Sequence, residues 1–557
     1  MNKQKLTMIE LFSGIGAQKR GIDNTELYDL DVVATSDVDK EAIVEYAAIH
    51  HGLTNEMIDN YENYPSRQQM IEELKERNIG MDFDKNKMYD WDKLLKKKTK
   101  DIEKYWLAMT LQNNLGDISQ IEQLPEADCW FYSSPCQCFS LAGKQDGIDA
   151  TCNTCGVKYN PMLLDVEHRY ICPNCGSDDI KGTRSGLLLE IERLLIKSIE
   201  TNTQPKYLCL ENVKNLVSNK FRTDFDAWIK RLEHLGYNTR WKVLNAKETG
   251  IPQNRERVFA FSIRKDIDTG NFTFPLPFDN GLRLKDILEK NVDEKYYVNT
   301  EKAHNLIQQL ADKGQLKNQG NDSQSILVKN QATEFTRTID TANTLMARDW
   351  KGYGNQDMVA IVEHEKLDDS KRLGGLWDGE TRHQAGSVWD RNGMSPTLDT
   401  AQGGGRMPHI VESSEKLIKN KEEVQVIGIK QATKKGYIEC ELPGCADLSY
   451  PTSTTRRGRV QDNGQTSPTI TATETGIHYI ESIYRIRKLT PRECFALMGF
   501  NFEDWDKCVA IGASNTAGYK AAGNSIVTNC ISLLFEHLYK AQYDNTYICT
   551  DEKMQNF

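Results

Sequence analysis

The sequence has no long apolar run. Its richest stretch, LLLEIERLLI, carries three charges in ten residues and falls far short of the roughly 20 apolar residues a membrane-spanning helix needs. The N-terminus, MNKQKLTMIELFSGIGA, is broken by Glu10 and then by glycines, so it lacks the apolar core of a secretory signal. Membrane insertion and export are therefore not expected, and a cytoplasmic location is. The chain also lacks a basic excess. Seventy Lys and Arg against eighty Asp and Glu leave a formal charge of -10, so any contact with nucleic acid has to come from a local basic surface. Proline and glycine are not in excess either, at 15 and 38 of 557 residues, with 39% hydrophobic and 27% charged side chains. That composition excludes collagen-like, low-complexity and wholly disordered classes. What remains is a globular chain long enough for two to four domains of about 100–200 residues. Its fourteen cysteines, in a reducing compartment, point to ligation or catalysis before disulfides.

The opening segment alternates strand, glycine turn, helix and strand, from LTMIELF to LDVVATSD. This βαβ pattern starts a doubly wound α/β sheet. Residues 55–112 are highly charged with apolar positions at helical spacing and read as a helical insertion. The lysines at 96–98 within it read as a solvated face, with phosphate contact as the alternative. Strands resume at ADCWFYSS, YLCLEN and RVFAFSI, with helices between them, and the α/β pattern holds to residue 264. From 265 to 483 short polar strands dominate. Three diverged copies of one phrase begin at Thr336, Ser387 and Arg459, each running strand, turn, Thr-rich strand, Gly-containing loop, strand. Stacked hairpins serving as scaffold and loops presented to a long polymer are equally good accounts of them. After 484 helices return, placed to pack back on the first domain, and the tail DNTYICTDEKMQNF reads as frayed. The expected organisation is a Rossmann-like α/β domain from 1–264 plus 484–545, a β-rich domain from 265–483, and a tail from 546–557.

The loop Phe12, Ser13, Gly14, Ile15, Gly16 follows a strand, and Asp37 ends the next one, a spacing suited to a ribose diol. A dinucleotide fingerprint would place a third glycine where this chain has Lys19, and a bulky residue there crowds a pyrophosphate. The pattern favours a nucleoside cofactor without phosphates, such as S-adenosylmethionine; a plain tight turn is the alternative. Cys136, in SSPCQ, ends an apolar strand, where a thiolate can serve as nucleophile; a lone cysteine there is more simply a packing residue. Glu211 ends YLCLEN, and Arg255 and Arg257 in QNRERV precede another strand. Thiolate, carboxylic acid and guanidinium at one sheet edge suggest covalent attack on a polarised ring.

The ordered phrases ELFSGIG, SDVDKEA, GDISQI, SSPCQCFSLAGKQDG, ENV, QNRERV, RKLTPRECFALMGF and YKAAGNSIV resemble the motif set of the DNA (cytosine-5)-methyltransferases, over roughly 6–264 and 484–540. The resemblance implies that Cys136 adds to carbon 6 of a cytosine flipped out of double-stranded DNA. Glu211 would hold a proton at ring N3, and Arg257, with Arg255 beside it, would bind the base's carbonyl oxygen. Phe12, Gly14, Gly16, Asp37, Val38, Asp117, Ile118, Pro135 and Asn524 would line the S-adenosylmethionine site, with Asp37 on the ribose and Asp117 near the adenine amino group. The region 265–483 would be the target-recognition domain, in which Arg456, Arg457 and Arg459 are candidates for phosphate contacts or simply a solvated loop. A bacterial or phage enzyme is implied, monomeric, and functionally paired with a restriction endonuclease.

The chain departs from the family after Cys136, where it inserts TCNTCGVKYNPMLLDVEHRYICPNCGS. Cys152, Cys155, Cys172 and Cys175 form two CxxC pairs, each followed by glycine, which resemble zinc-ribbon knuckles and predict a structural Zn2+. His168 is read as a bystander and Cys138 as a packing residue. The insert is expected to be a folded knob on a mobile catalytic loop that contacts DNA beside the target base. Two competing readings are an RNA cytosine-5 methyltransferase and a catalytically silent DNA-binding zinc-ribbon protein.

Overall fold

The computed structural model describes residues 3–82, 87–96, 100–134, 148–165, 168–182, 184–296, 489–544 and 546–547, with short strands and Ser395 between 297 and 488. It divides into two compact units, residues 1–291 with 394–407 and 489–557, and residues 292–393 with 408–488.

The first unit is built on six strands: β1 (Gln4–Leu11), β2 (Tyr28–Ser36), β3 (Cys129–Tyr132), β4 (Tyr207–Val213), β5 (Tyr237–Asn245) and β6 (Glu256–Arg264). Their order is β5-β6-β4-β3-β1-β2. The pairs β1–β2, β1–β3 and β3–β4 are parallel, while β6 runs antiparallel to both β4 and β5. The central strands are covered on both faces, which is why they read as near-continuous apolar runs. Ile9, Leu11, Trp130, Tyr132, Leu208 and Leu210 form one cluster with the apolar face of α7 (Leu188–Glu200) and with Phe225, Trp228 and Leu232 of α8 (Arg222–His234). The alternate positions Cys129, Phe131 and Cys209 are equally buried, as a period of two requires. The sequence order turns back between β1 and β3, and in such a sheet the crevice beyond the carboxyl ends of the strands at that point is the place for a ligand.

Helices α1 (Ala17–Asp23) and α2 (Lys40–His50) flank β2. The insertion that follows α2 consists of α3 (Asn55–Asn60), α4 (Arg67–Glu76), a short hairpin at 81–82 and 87–88, α5 (Trp91–Leu95) and α6 (Asp101–Leu111). Ser66 and Gln69 cap α4 reciprocally. These helices share a second core with Ile43, Val44 and Ala47 of α2.

The C-terminal helices α9 (Pro491–Leu497), α10 (Phe502–Ala510), α11 (Asn515–Asn524) and α12 (Thr528–Tyr543) pack back on this unit. Tyr28 donates from its hydroxyl to the Phe535 carbonyl at 2.9 Å. Gly21 faces α12 so closely that a Cβ there would lie 2.6 Å from Ile531 Cβ. The unit also continues past residue 264, because Phe272 stacks on Phe261 with centroids 4.6 Å apart and Thr269 donates to the Ala541 carbonyl at 3.0 Å. The start of the tail is not frayed as expected: the Tyr547 hydroxyl bonds His537 Nδ1 at 3.0 Å.

In the second unit the described residues are strands. Residues 327–330 pair with 333–338, 425–430 with 437–442, and 444–447 with 477–480, all antiparallel. A four-stranded sheet joins 372–375, 387–389, 409–413 and 484–488. The turns and Thr-rich middles of the three repeated phrases, the lysines at 97 and 98, and Arg456, Arg457 and Arg459 lie outside the described residues. Among those described, no helix is long and apolar enough to cross a membrane.

Candidate active site and cofactor pocket

The loop after β1 turns through three left-handed residues, Phe12 (φ 61°), Gly14 (φ 53°) and Gly16 (φ 76°). Gly16 admits no side chain, since a Cβ would stand 2.4 Å from His50 Nε2. His50 Nε2 in turn donates to the Ile15 carbonyl at 3.0 Å, and burial holds the imidazole well below its ordinary pKa. Beneath the loop, the buried Glu10 carboxylate accepts from the Lys19 backbone N–H at 2.7 Å and the Tyr46 hydroxyl at 2.6 Å. Burial pushes Glu10 up to about 7. The Lys19 N–H is thus already spent on a carboxylate, so α1 does not present it to a phosphate, in keeping with a cofactor that has none.

Hydrogen bonds join this loop to the other expected cofactor residues. Phe12 N donates to the Ser36 carbonyl at 2.7 Å and Gly14 N to Asp37 Oδ2 at 2.8 Å. Burial, followed by the Asp39 charge, raises the Asp37 carboxyl to about 6 against the pull of its backbone donors. Beside the end of β2, Ser36 Oγ donates to the Gly116 carbonyl at 2.6 Å, which brings up Asp117 and the buried Ile118. Val38 accepts from Gly80 N at 2.7 Å. Asn524 ends α11, whose Lys520 pairs with Asp39.

The reacting edge lies across β3, β4 and β6. Ser133 donates its hydroxyl to the Glu211 carboxylate, and Asn212 Nδ2 donates to the Ser134 carbonyl at 3.0 Å. Arg257 Nε stands 3.2 Å from Glu211 Oε1, with the two side chains 17% and 8% exposed. The antiparallel run of β6 makes this possible: Arg257, second residue of that strand, lies opposite Val213 at the carboxyl end of β4. Pro135, Cys136 and Cys138 lie outside the described residues, in the segment 135–147 that leaves this strand end. Arg255 is buried and donates to the carbonyls of Gly523 at 3.1 Å and Ser525 at 2.7 Å. These bonds brace the turn at Asn524.

The cysteine insert forms three short strands, 150–152, 158–159 and 180–181. Its two knuckles repeat one hydrogen-bond pattern: Gly156 N donates to the Cys152 carbonyl and Gly176 N to the Cys172 carbonyl, both at 2.9 Å. Both glycines are left-handed, at φ 74° and 71°. The four Sγ atoms lie within 4.8 Å of one another, bracketing the roughly 3.8 Å sulfur spacing of a tetrahedral Zn–S4 centre. The insert packs on its host. Arg169 makes a bidentate pair with Glu192 of α7 at 2.6 and 3.1 Å, both buried, and Asn160 Nδ2 donates to Asp224 of α8 at 2.6 Å. Sequence reasoning gave no role to Ser133, although it opens the SSPCQ phrase, nor to His50 and Arg169, which lie in no motif.

The model for the C-5 cytosine-specific DNA methylases matches residues 91–166 and 174–540. The chain belongs to this family. The break in the match falls inside the cysteine insert. The orphan methyltransferase M.SPBetaI of Bacillus phage SPbeta is 27% identical over 568 aligned residues, spanning 96% of this chain and 97% of that protein. The type II methyltransferase M2.ScrFI of Lactococcus lactis subsp. cremoris is 35% identical over 295 residues, 53% of this chain and 70% of that one. The orphan methyltransferase M.SssI of Spiroplasma monobiae is 31% identical over 310 residues, 54% of this chain and 70% of that one. This cytosine-5 methyltransferase therefore transfers a methyl group from S-adenosylmethionine to carbon 5 of cytosine in DNA through a covalent enzyme adduct, as its family does. The RNA-directed and catalytically silent readings fall away.

Proposed function

We propose that Cys136, Glu211 and Arg257 carry the reaction on a cytosine flipped out of double-stranded DNA. The observation that supports this most is the cluster of Ser133, Glu211 and Arg257 at the strand end from which the Cys136 segment departs. The Cys136 thiolate adds to carbon 6, and the electron pair of the 5,6 double bond moves toward carbon 5. Glu211 holds a proton at N3 as electron density rises on the ring. Arg257 answers the charge at the ring carbonyl. S-adenosylmethionine would supply an electrophilic methyl group to carbon 5, its sulfonium leaving as the thioether of S-adenosylhomocysteine; removal of the carbon 5 proton by a base then returns an electron pair to the 5,6 double bond, expels the Cys136 thiolate and restores the ring. Phe12, Gly14, Gly16, Asp37, Val38, Asp117, Ile118, Pro135 and Asn524 hold the cofactor, with Asp37 on the ribose. Arg255 positions the Asn524 turn.

The four cysteines of the insert hold a structural Zn2+, favoured by the paired knuckles and the spacing of their sulfurs. The β-rich second unit recognises the target sequence. Protection of DNA against a restriction endonuclease in a bacterial or phage-infected cytoplasm suits relatives called type II and phage orphan methyltransferases. Bisulfite sequencing of DNA from cells expressing the protein tests the whole reading. Methylated cytosines in one defined context are expected, and unmodified DNA from a folded, expressed enzyme would contradict it.

A further inference from the structure

Asp37 and Asp117 are separated by 80 positions (117 minus 37), and the helical insertion fills the gap. The chain between α4 and the hairpin returns to the pocket and lies between the two cofactor segments. Asp117 N donates to the Arg77 carbonyl at 3.0 Å, and Gly80 N to the Val38 carbonyl at 2.7 Å. Arg77 also reaches the Asn114 carbonyl. The approach is so close that a Cβ on Gly116 would stand 2.1 Å from the Arg77 carbonyl oxygen. Between these anchors sits Asn78, left-handed at φ 55°, a conformation asparagine tolerates better than most residues. Its Nδ2 donates to Asp117 Oδ2 at 2.9 Å.

A carboxylate offers about four lone-pair positions. Asp117 Oδ1 already accepts from Ser119 N at 3.0 Å and Ser119 Oγ at 2.8 Å. With Asn78 on Oδ2, one acceptor position is left for a ligand. We propose that Asn78 is a positioning residue of the cofactor site, brought there by the insertion, which orients Asp117 so that its remaining lone pair meets the exocyclic amine of the adenine. This rests on the reading of Asp117 as an adenine-side residue. The chemistry recognised is an N–H donor at the 6 position of the purine. Asn78 gives the site selectivity, because its amide presents a donor to Asp117 and leaves the carboxylate as acceptor only.

Calorimetry on the full-length protein tests this with two ligands, S-adenosylhomocysteine and its analogue with hydrogen in place of the 6-amino group. Asn78→Ala should weaken S-adenosylhomocysteine about fivefold, the scale of one hydrogen bond. It should leave the deaminated analogue at its wild-type affinity. Asn78→Gly, which suits a positive φ and removes any backbone strain, should repeat that pattern; Asn78→Asp, setting carboxylate against carboxylate, should weaken S-adenosylhomocysteine further. Equal losses for both ligands would assign Asn78 a merely structural role and overturn the proposal, as would unchanged binding of both. An Asp117→Asn variant separates the two levels. If it binds S-adenosylhomocysteine normally, the reading of Asp117 itself fails and the proposal with it; if it loses affinity while Asn78→Gly does not, only the proposal fails.

Discussion

Residues 55–111 and residues 150–182 both interrupt the sheet, yet they bury side chains very differently. The helical insertion places Ile58, Met70, Ile71, Leu74, Trp91, Leu94 and Ile102 in a core continuous with α2. The cysteine insert has strands of two and three residues and leaves Leu163 57%, Tyr170 51% and Ile171 43% exposed. One insertion is stabilised by apolar burial shared with its host. The other has little core of its own; Met162 in the sheet's apolar cluster, the buried Arg169–Glu192 pair and the Asn160–Asp224 bond attach it, and the proposed ligation at its cysteines would supply the rest. On the proposed reading, the helical insertion contributes to the cofactor site through residues 77–80, whereas the cysteine insert would depend on metal.

The largest contrast should come from metal removal. Structural zinc sites bind with about 10 kcal/mol or more of free energy that is also folding free energy. Chelation, or Cys172→Ser, should abolish amide-exchange protection in 150–182 and leave α4 and α6 protected; a ribbon that stays protected would break the comparison. Next in size, Trp91→Ala should cost about 3–5 kcal/mol in denaturant unfolding, because Trp91 is fully buried and donates from Nε1 to the Ile79 carbonyl at 3.1 Å. It should also weaken cofactor binding through residues 77–80 and spare the ribbon. Arg169→Ala strands a buried Glu192, a loss of about 3 kcal/mol, at the low end because Arg231 still pairs with Glu192 at 3.2 Å. Limited proteolysis should then cut within 150–182 first, and an unchanged pattern would remove Arg169 as the attachment.

The smallest effect is pH-dependent. Glu10 at about 7 and Asp37 at about 6 lie above ordinary carboxyl values, so the folded state binds their protons more readily than the unfolded state does. Their contribution to stability should grow as the pH falls from above 7 to below 6. Cofactor affinity should move the opposite way, by about fivefold between pH 7.5 and 5.5, because protonated Asp37 is a poorer acceptor for a ribose hydroxyl. Calorimetry with S-adenosylhomocysteine on Asp37→Asn should show this dependence flattened; an identical slope would assign it to Glu10.

The parts legible in the sequence were those written in local pattern. The glycine loop with its φ-positive residues, the acid at the end of β2 and the twin CxxCG knuckles each occupy a few consecutive positions, so spacing alone places them. Glu211 and Arg257 were recognisable as residue types, but their pairing depends on β6 running antiparallel to β4, a feature of topology. Arg255 shows the same limit from the other side: two residues from Arg257, it faces the carbonyls of a distant helix end. Asn78 sits in KERNIG with no motif around it, and only the fold brings it to Asp117. Arg169 and Glu192 meet because the insert folds back on α7, which no spacing within the insert encodes.

The covalent step is tested most directly by incubating the enzyme with S-adenosylmethionine and duplex DNA carrying 5-fluorocytosine in its methylated context, followed by denaturing mass spectrometry. The expected product is a stable one-to-one adduct whose cross-linked peptide contains Cys136, formed by the wild type and absent with Cys136→Ser. An adduct through another cysteine, or no adduct from enzyme that methylates ordinary cytosine DNA, would contradict nucleophilic attack by Cys136.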